Sequence, residues 1–171
     1  MALPAGLNVT FLVGLSLLFI GTLLHIIGQS TPEWMVSKPV TGGSFGLWEL
    51  CGKGVCVTYP NALKPAELEV CEAFAILGIL ACLASLGLAL VNFVVAILGK
   101  PQYKIVPGMV LSSSIVALIF ILICVIVWAA KIYNSRFTSL GYSFILSIIG
   151  GVLTAFGGVL AYAGTNQNRA Y

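Results

Sequence analysis

The stretch that decides the fold is residues 46–56, Gly46-Leu47-Trp48-Glu49-Leu50-Cys51-Gly52-Lys53-Gly54-Val55-Cys56. It lies in the one long polar segment of a chain that is otherwise mostly apolar. Two glycines and a lysine lie between its cysteines, and strand-forming residues flank them on both sides. A turn of this composition lets two antiparallel strands face each other at disulfide distance. The stretch therefore predicts a hairpin that carries a cysteine pair.

Composition places the rest of the chain in a bilayer. Of the 171 residues, 60% are hydrophobic and only 8% are charged, and aspartate is absent. A soluble domain normally carries about 25% charged residues. The net charge of +3 is small and scattered, so nucleic acid is not expected as a partner. We expect an integral membrane protein with a single domain, residues 1–171.

Four apolar runs are long enough to cross the roughly 30 Å hydrocarbon core of a bilayer. They lie at about 7–28, 72–98, 106–130 and 141–164. An even number of spans puts both chain ends on one side. The polar segments 29–71 and 131–140 then share the other side.

Small residues recur at helical spacing within these runs. Glycines repeat every seven residues in the first span and in the fourth, which predicts close approach of neighbouring helices: Gly14, Gly21, Gly28, Gly150, Gly157 and Gly164. The second span carries a similar stripe: Ala75, Gly78, Cys82, Ser85 and Ala89. This stripe is either a docking face for a partner or ordinary packing within the bundle, and tight helix packing is the simpler interpretation.

The long polar segment is rich in turn signals. Three short strands are predicted, at 34–36, 45–48 and 55–59, and Pro60 stops the last one. Pro65 followed by acidic residues is typical of a helix start, because proline fits the first turn and acids complement the helix dipole.

Lysines alone do not decide the orientation. The turn with Lys100 and Lys104 has the positive charge typical of a cytoplasmic loop, but the two other loops also carry cations. The cysteine pair favours one arrangement, because a stable structural disulfide needs the oxidising side of the membrane. We therefore expect the long loop outside and both termini in the cytoplasm.

The motif residues together resemble the claudin superfamily, which includes claudins, peripheral myelin protein, epithelial membrane proteins and calcium-channel gamma subunits. A tryptophan follows the first span, then come Gly-Leu-Trp and two cysteines: Trp34, Gly46, Leu47, Trp48, Cys51 and Cys56. The four-span layout agrees along the whole chain, and residues 141–144 opening the last span fit the family's second loop.

The resemblance implies a left-handed four-helix transmembrane bundle capped outside by a small antiparallel β-sheet. Most strands would come from the first loop and one from the second. The family disulfide maps onto Cys51 and Cys56, and the Gly-Leu-Trp residues would seat the sheet on the bundle rim. Claudins usually have more residues between the two cysteines and an arginine before the second span. This chain has neither, so the subfamily stays open.

The first function that the resemblance implies is adhesion or barrier formation at cell–cell junctions of the plasma membrane. Partners would be copies of this chain or other claudin-like tetraspans, in the same membrane and across the intercellular gap. Candidate contact residues in the outer loops are Glu49, Lys53, Lys64, Lys131, Arg136 and Phe137. The alternative for each of them is solvated surface.

The second function is that of an auxiliary subunit beside an ion channel or receptor, as the gamma relatives are. The third span offers an apolar stripe for such docking, although lipid contact explains it equally well: Ile115, Leu118, Ile119, Leu122, Ile123 and Ile126.

An enzyme is not expected, and neither a cofactor nor a metal is predicted. The sequence has no Cys-x-x-Cys motif, and the spans have no arginine and no acid–base pair. The single histidine, His25, lies one helical turn from Gln29 near the outer end of the first span. We interpret it as a hydrogen-bonded packing residue rather than a proton site.

Overall fold

The computed structural model describes residues 8–37, 42–60, 64–101, 103–133 and 138–167. In these ranges the chain forms four helices, α1 (Val9–Ser30), α2 (Ala66–Ile97), α3 (Val106–Val127) and α4 (Tyr142–Gln167). A π-helical turn, Trp128–Ile132, continues α3. All four helices are long and apolar enough to cross a membrane.

Helices α1 and α4 interlock through their heptad glycines. A Cβ atom placed on Gly21 would lie 2.7 Å from the carbonyl oxygen of Gly150, and one on Gly150 would lie 2.7 Å from that of Gly21. The same reciprocal contact, at 2.8 Å, joins Gly14 and Gly157. The two backbones therefore touch directly, which only glycine permits. The sequence predicted close approach, and the structure shows that the two glycine series meet each other.

The small-residue stripe of α2 faces the inside of the bundle. Ala75, Cys82 and Ser85 are fully buried. A Cβ on Gly78 would lie 3.2 Å from the side chain of Ile121 on α3 and 3.3 Å from the His25 ring on α1. The packing interpretation is thus confirmed, and the alternative that this stripe docks a partner is wrong.

A five-stranded antiparallel sheet covers one end of the bundle. Its strands are β1 (Met35–Ser37), β2 (Gly43–Phe45), β3 (Glu49–Gly52), β4 (Val55–Thr58) and β5 (Thr138–Leu140). Their spatial order is β4-β3-β2-β1-β5, so the strand from the second loop pairs with the first strand of the first loop.

The strand prediction for 45–48 was wrong. Phe45 ends β2, and residues 46–48 separate β2 from β3, so the first loop supplies four strands rather than three. The N–H of Gly46 donates to the carbonyl of Glu49 at 2.8 Å, which turns the chain between β2 and β3. The predicted helix start is confirmed, because α2 begins directly after Pro65 with Glu67 and Glu69 in its first turn.

Candidate functional site

The cysteine pair closes the hairpin at the free edge of the sheet. Cys51 on β3 lies directly opposite Cys56 on β4, with their Cα atoms 4.1 Å apart, and the two form a disulfide. The two-residue turn between the strands has positive φ at Lys53 (50°) and Gly54 (81°). Such a turn matches the natural twist of the strands and fixes the register that brings the cysteines together.

The Gly-Leu-Trp triplet joins the sheet to the bundle. Gly46 packs on Pro32, where an added Cβ would lie 2.6 Å from the proline Cα. Leu47 is fully buried in the core. The indole N–H of Trp48 donates to the backbone carbonyl of Gln29 at 2.8 Å, while its ring remains partly exposed. Each residue of the triplet thus touches a different part of the bundle rim.

Trp34 lies at the centre of the contact between the sheet and the helical bundle. It is fully buried, and its indole N–H donates to the carbonyl of Gly28 at 2.8 Å. The last carbonyls of a helix have no partner within the helix, so Trp34 and Trp48 together supply donors to the end of α1. The ring of Trp34 also packs against Trp128 of the π-helical turn at 5.2 Å and Phe144 of α4 at 5.7 Å, measured between ring centroids.

Tyr59 also holds the sheet against the bundle, although no sequence motif points to it. Its hydroxyl donates to the carbonyl oxygen of Gly46 at 3.1 Å. Burial, together with the negative charge of nearby Glu72, raises the pKa of the Tyr59 phenol from 10.0 to about 12. A tyrosine directly after a strand and before a proline was the available signal, and it is too common to point to this contact.

An apolar row runs across one face of the sheet. Directly opposite residues of antiparallel strands share a face, and the pairings align Leu140, Met35, Phe45, Leu50 and Val57. Met35 is buried against the bundle, whereas Val57 at the other end is 51% exposed. Phe45, Leu50, Val55 and Val57 line a shallow groove of about 380 Å³ on this face.

Strand β4 forms the outer edge of the sheet. All four of its residues are exposed, with Val55 at 64%, and none is charged. Within the described part of the chain, β4 pairs only with β3. An exposed edge of this kind offers unpaired backbone N–H and carbonyl groups to another chain.

The family model described as the PMP-22/EMP/MP20/Claudin family matches residues 8–161. The chain belongs to this family. A comparison with curated proteins returned no match. Membership of the PMP-22/EMP/MP20/Claudin family confirms the sequence-based resemblance, and the four helices with the small antiparallel sheet confirm the predicted fold class. The protein is therefore a multi-pass, claudin-type membrane protein.

The predicted contact residues of this family member have different environments. Glu49 and Lys53 on the hairpin and Lys131 on the π-helical turn are exposed. Lys64 is instead paired with Glu72, and only 17% of its side chain is exposed. Arg136 and Phe137 lie outside the described residues.

Metal-ligand chemistry on the sheet is limited by the disulfide. The carboxylate of Glu49 and the sulfurs of Cys51 and Cys56 lie within 4.8 Å of one another. Because the two sulfurs are bonded to each other, they are not the thiolates that would bind a soft metal.

The hydrogen bonding expected for His25 is not found. The side chains of His25 and Gln29 are buried inside the bundle. The backbone of Ser147 lies close to the His25 ring, but neither ring nitrogen makes a hydrogen bond of normal geometry to any described residue. The Gln29 amide also has no partner in the described part of the chain. His25 is a packing residue, and its lack of a hydrogen bond could not be foreseen from its position in the sequence.

Proposed function

We propose that this chain is a non-enzymatic, claudin-type contact protein of the plasma membrane at cell–cell junctions, folded as one domain. Its outer sheet makes lateral and intercellular contacts with other copies or with related tetraspans. The observation that carries this proposal is the β4 edge, Val55–Thr58, which is exposed, uncharged and adjacent to an apolar groove.

The orientation supports contact through the sheet. A structural disulfide is stable on the oxidising side of the membrane, which supports an outward-facing sheet with both termini in the cytoplasm. Lys100 and Lys104 are exposed in the turn at the opposite end of the bundle, as the positive-inside rule expects of a cytoplasmic loop.

The strand register allows two copies to pair edge to edge. In an antiparallel pair of β4 strands centred on Cys56, Val55 of one copy lies opposite Val57 of the other. Both valines belong to the same face of the sheet, so the apolar groove of one copy would continue into that of its partner. Exposed Glu49 and Lys53 would lie beside this junction and influence which ions pass it.

Lysine substitution at the edge tests the proposal. In cells that express the fluorescent protein, the wild type should concentrate where two expressing cells meet. The double variant Val55→Lys/Val57→Lys should fall to the level of free membrane, because edge lysines oppose strand pairing. Ile105→Lys is the control, since Ile105 is also well exposed but lies at the other end of the bundle. Persistent enrichment of the double variant would refute the proposal.

The alternative is an auxiliary subunit that docks beside a channel or receptor through α3. Ile115, Ile119, Leu122 and Ile126 are exposed to the bilayer along this helix. A channel docked there would be displaced by Ile119→Trp and unaffected by Val152→Trp, a similarly exposed site on α4. Lipid would tolerate both changes. A channel that co-purifies with the wild type and is lost only with Ile119→Trp would establish the auxiliary role.

A further inference from the structure

Two cysteines outside the sheet lie side by side on different helices. Cys71 is in the first turns of α2, and Cys124 is near the end of α3, one helical turn before the π-helical turn. Both are fully buried, and both are free thiols. The thiol of Cys71 donates to the backbone carbonyl of Cys124 at 3.5 Å, and the two side chains also contact each other.

This pair lies at the same end of the molecule as the hairpin disulfide. Cys71 and Cys124 belong to the core cluster that contains Trp34, Leu47 and Trp128 and that lies next to the sheet. Lys64 and Glu72 form an ion pair beside Cys71, which marks this part of α2 as lying at the aqueous rim of the bilayer. The compartment that oxidises Cys51 and Cys56 is therefore also the one nearest to this pair.

We propose that Cys71 and Cys124 are a second disulfide site, which joins α2 to α3 beneath the sheet. The oxidant is a disulfide, supplied by a secretory-pathway oxidoreductase or by a small molecule such as oxidised glutathione. The deprotonated sulfur of Cys71 attacks one sulfur of this donor and releases the first donor thiolate. The deprotonated sulfur of Cys124 then attacks the sulfur of Cys71 and releases the second. Two protein thiols lose two electrons and two protons, and the donor disulfide is reduced to two thiols.

The third free thiol provides an internal control. Cys82 is also fully buried, but its sulfur lies 4.0 Å from the hydroxyl of Thr154. It stays reduced under the same treatment. A nonspecific oxidant would modify Cys82 as readily as the proposed pair, whereas neighbouring thiols react with each other once the first mixed disulfide has formed.

The test uses the full purified chain in detergent, incubated with oxidised glutathione just below its unfolding temperature so that the helices open transiently. The protein is then denatured, alkylated with N-ethylmaleimide and mapped by mass spectrometry. When the chain starts with these thiols reduced, three maleimides are expected before oxidation, one for each free cysteine. After oxidation only one should remain, on Cys82, together with a linked peptide containing Cys71 and Cys124. Three maleimides, or glutathione adducts without the linked peptide, would overturn the proposal.

Cysteine variants and measurements on lysed cells provide the controls for this test. Oxidation of the Cys82→Ser variant should lower the number of bound maleimides from two to zero. In the Cys124→Ser variant Cys71 has lost its partner, so oxidation should produce no cross-link. The same alkylation and mass spectrometry on freshly lysed cells shows whether each of the two disulfides is formed in the cell. An alkylated Cys51–Cys56 pair in cells would contradict the proposed orientation alone, whereas missing cross-linking of the purified chain would contradict the second disulfide site alone.

Discussion

Gly21 has no room for a methyl group. We expect Gly21→Ala to lower the free energy of unfolding by about 1–3 kcal/mol, because the added Cβ would push α1 away from the backbone of α4. Thermal unfolding in detergent measures the loss. Gly87→Ala is the control: nothing lies within 4 Å of a Cβ there, and alanine is the better helix former. Equal changes in stability for the two variants would contradict a direct backbone contact between α1 and α4 at Gly21.

The raised pKa of Tyr59 predicts a loss of stability at alkaline pH. Well below pH 10 the phenol is protonated in both the folded and the unfolded chain, so its contribution is intact. Between pH 10 and about 12 the unfolded chain ionises first, which favours unfolding. Chemical unfolding across this range should show a steeper loss for wild type than for Tyr59→Phe.

The same tyrosine contributes at neutral pH through its hydrogen bond to Gly46. Tyr59→Phe should cost about 1 kcal/mol there. If wild type and variant lose stability in parallel above pH 10, the Tyr59 phenol is not the group responsible.

The β3–β4 hairpin depends on a short covalent loop. Cys51 and Cys56 are five positions apart, and a loop of this size contributes about 2 kcal/mol by restricting the unfolded chain. In Cys51→Ser/Cys56→Ser we expect faster hydrogen exchange at the β3 and β4 amides and unchanged exchange in α1 and α4. Reduction of the wild type should reproduce this pattern and leave the variant unaffected. Unchanged protection of the hairpin after both treatments would show that the disulfide is not needed.

The elements also show what sequence can and cannot predict. Four spans, the cysteine hairpin and the start of α2 follow from hydrophobic length, turn chemistry and capping, which are local properties. The break at 46–48 does not, because Phe45 and Trp48 favour strands, whereas the contacts of Leu47 and Trp48 with the bundle override that local preference. The pairing of Lys64 with Glu72 also needs the third dimension, since it depends on how the chain enters α2.

The sheet and the bundle form one unit through Trp34. Trp34→Ala should cost about 3–5 kcal/mol, because the ring is fully buried and contacts two other aromatic rings. Trp48→Ala should cost about 1–3 kcal/mol, since Trp48 is partly exposed and loses mainly one hydrogen bond. Unfolding in detergent should therefore show a larger loss of stability for Trp34→Ala than for Trp48→Ala. The reverse order would mean that Trp48 is the main contact between the sheet and the bundle.

The glycine contacts between α1 and α4 have a consequence for how the chain is made. The ribosome produces α1 first and α4 last of the four helices, so the closest helix pair of the finished molecule is the last that can form. Until α4 enters the membrane, Gly14, Gly21 and Gly28 of α1 lack their final neighbours on α4. A nascent chain that stops after α3 would present these glycines to lipid.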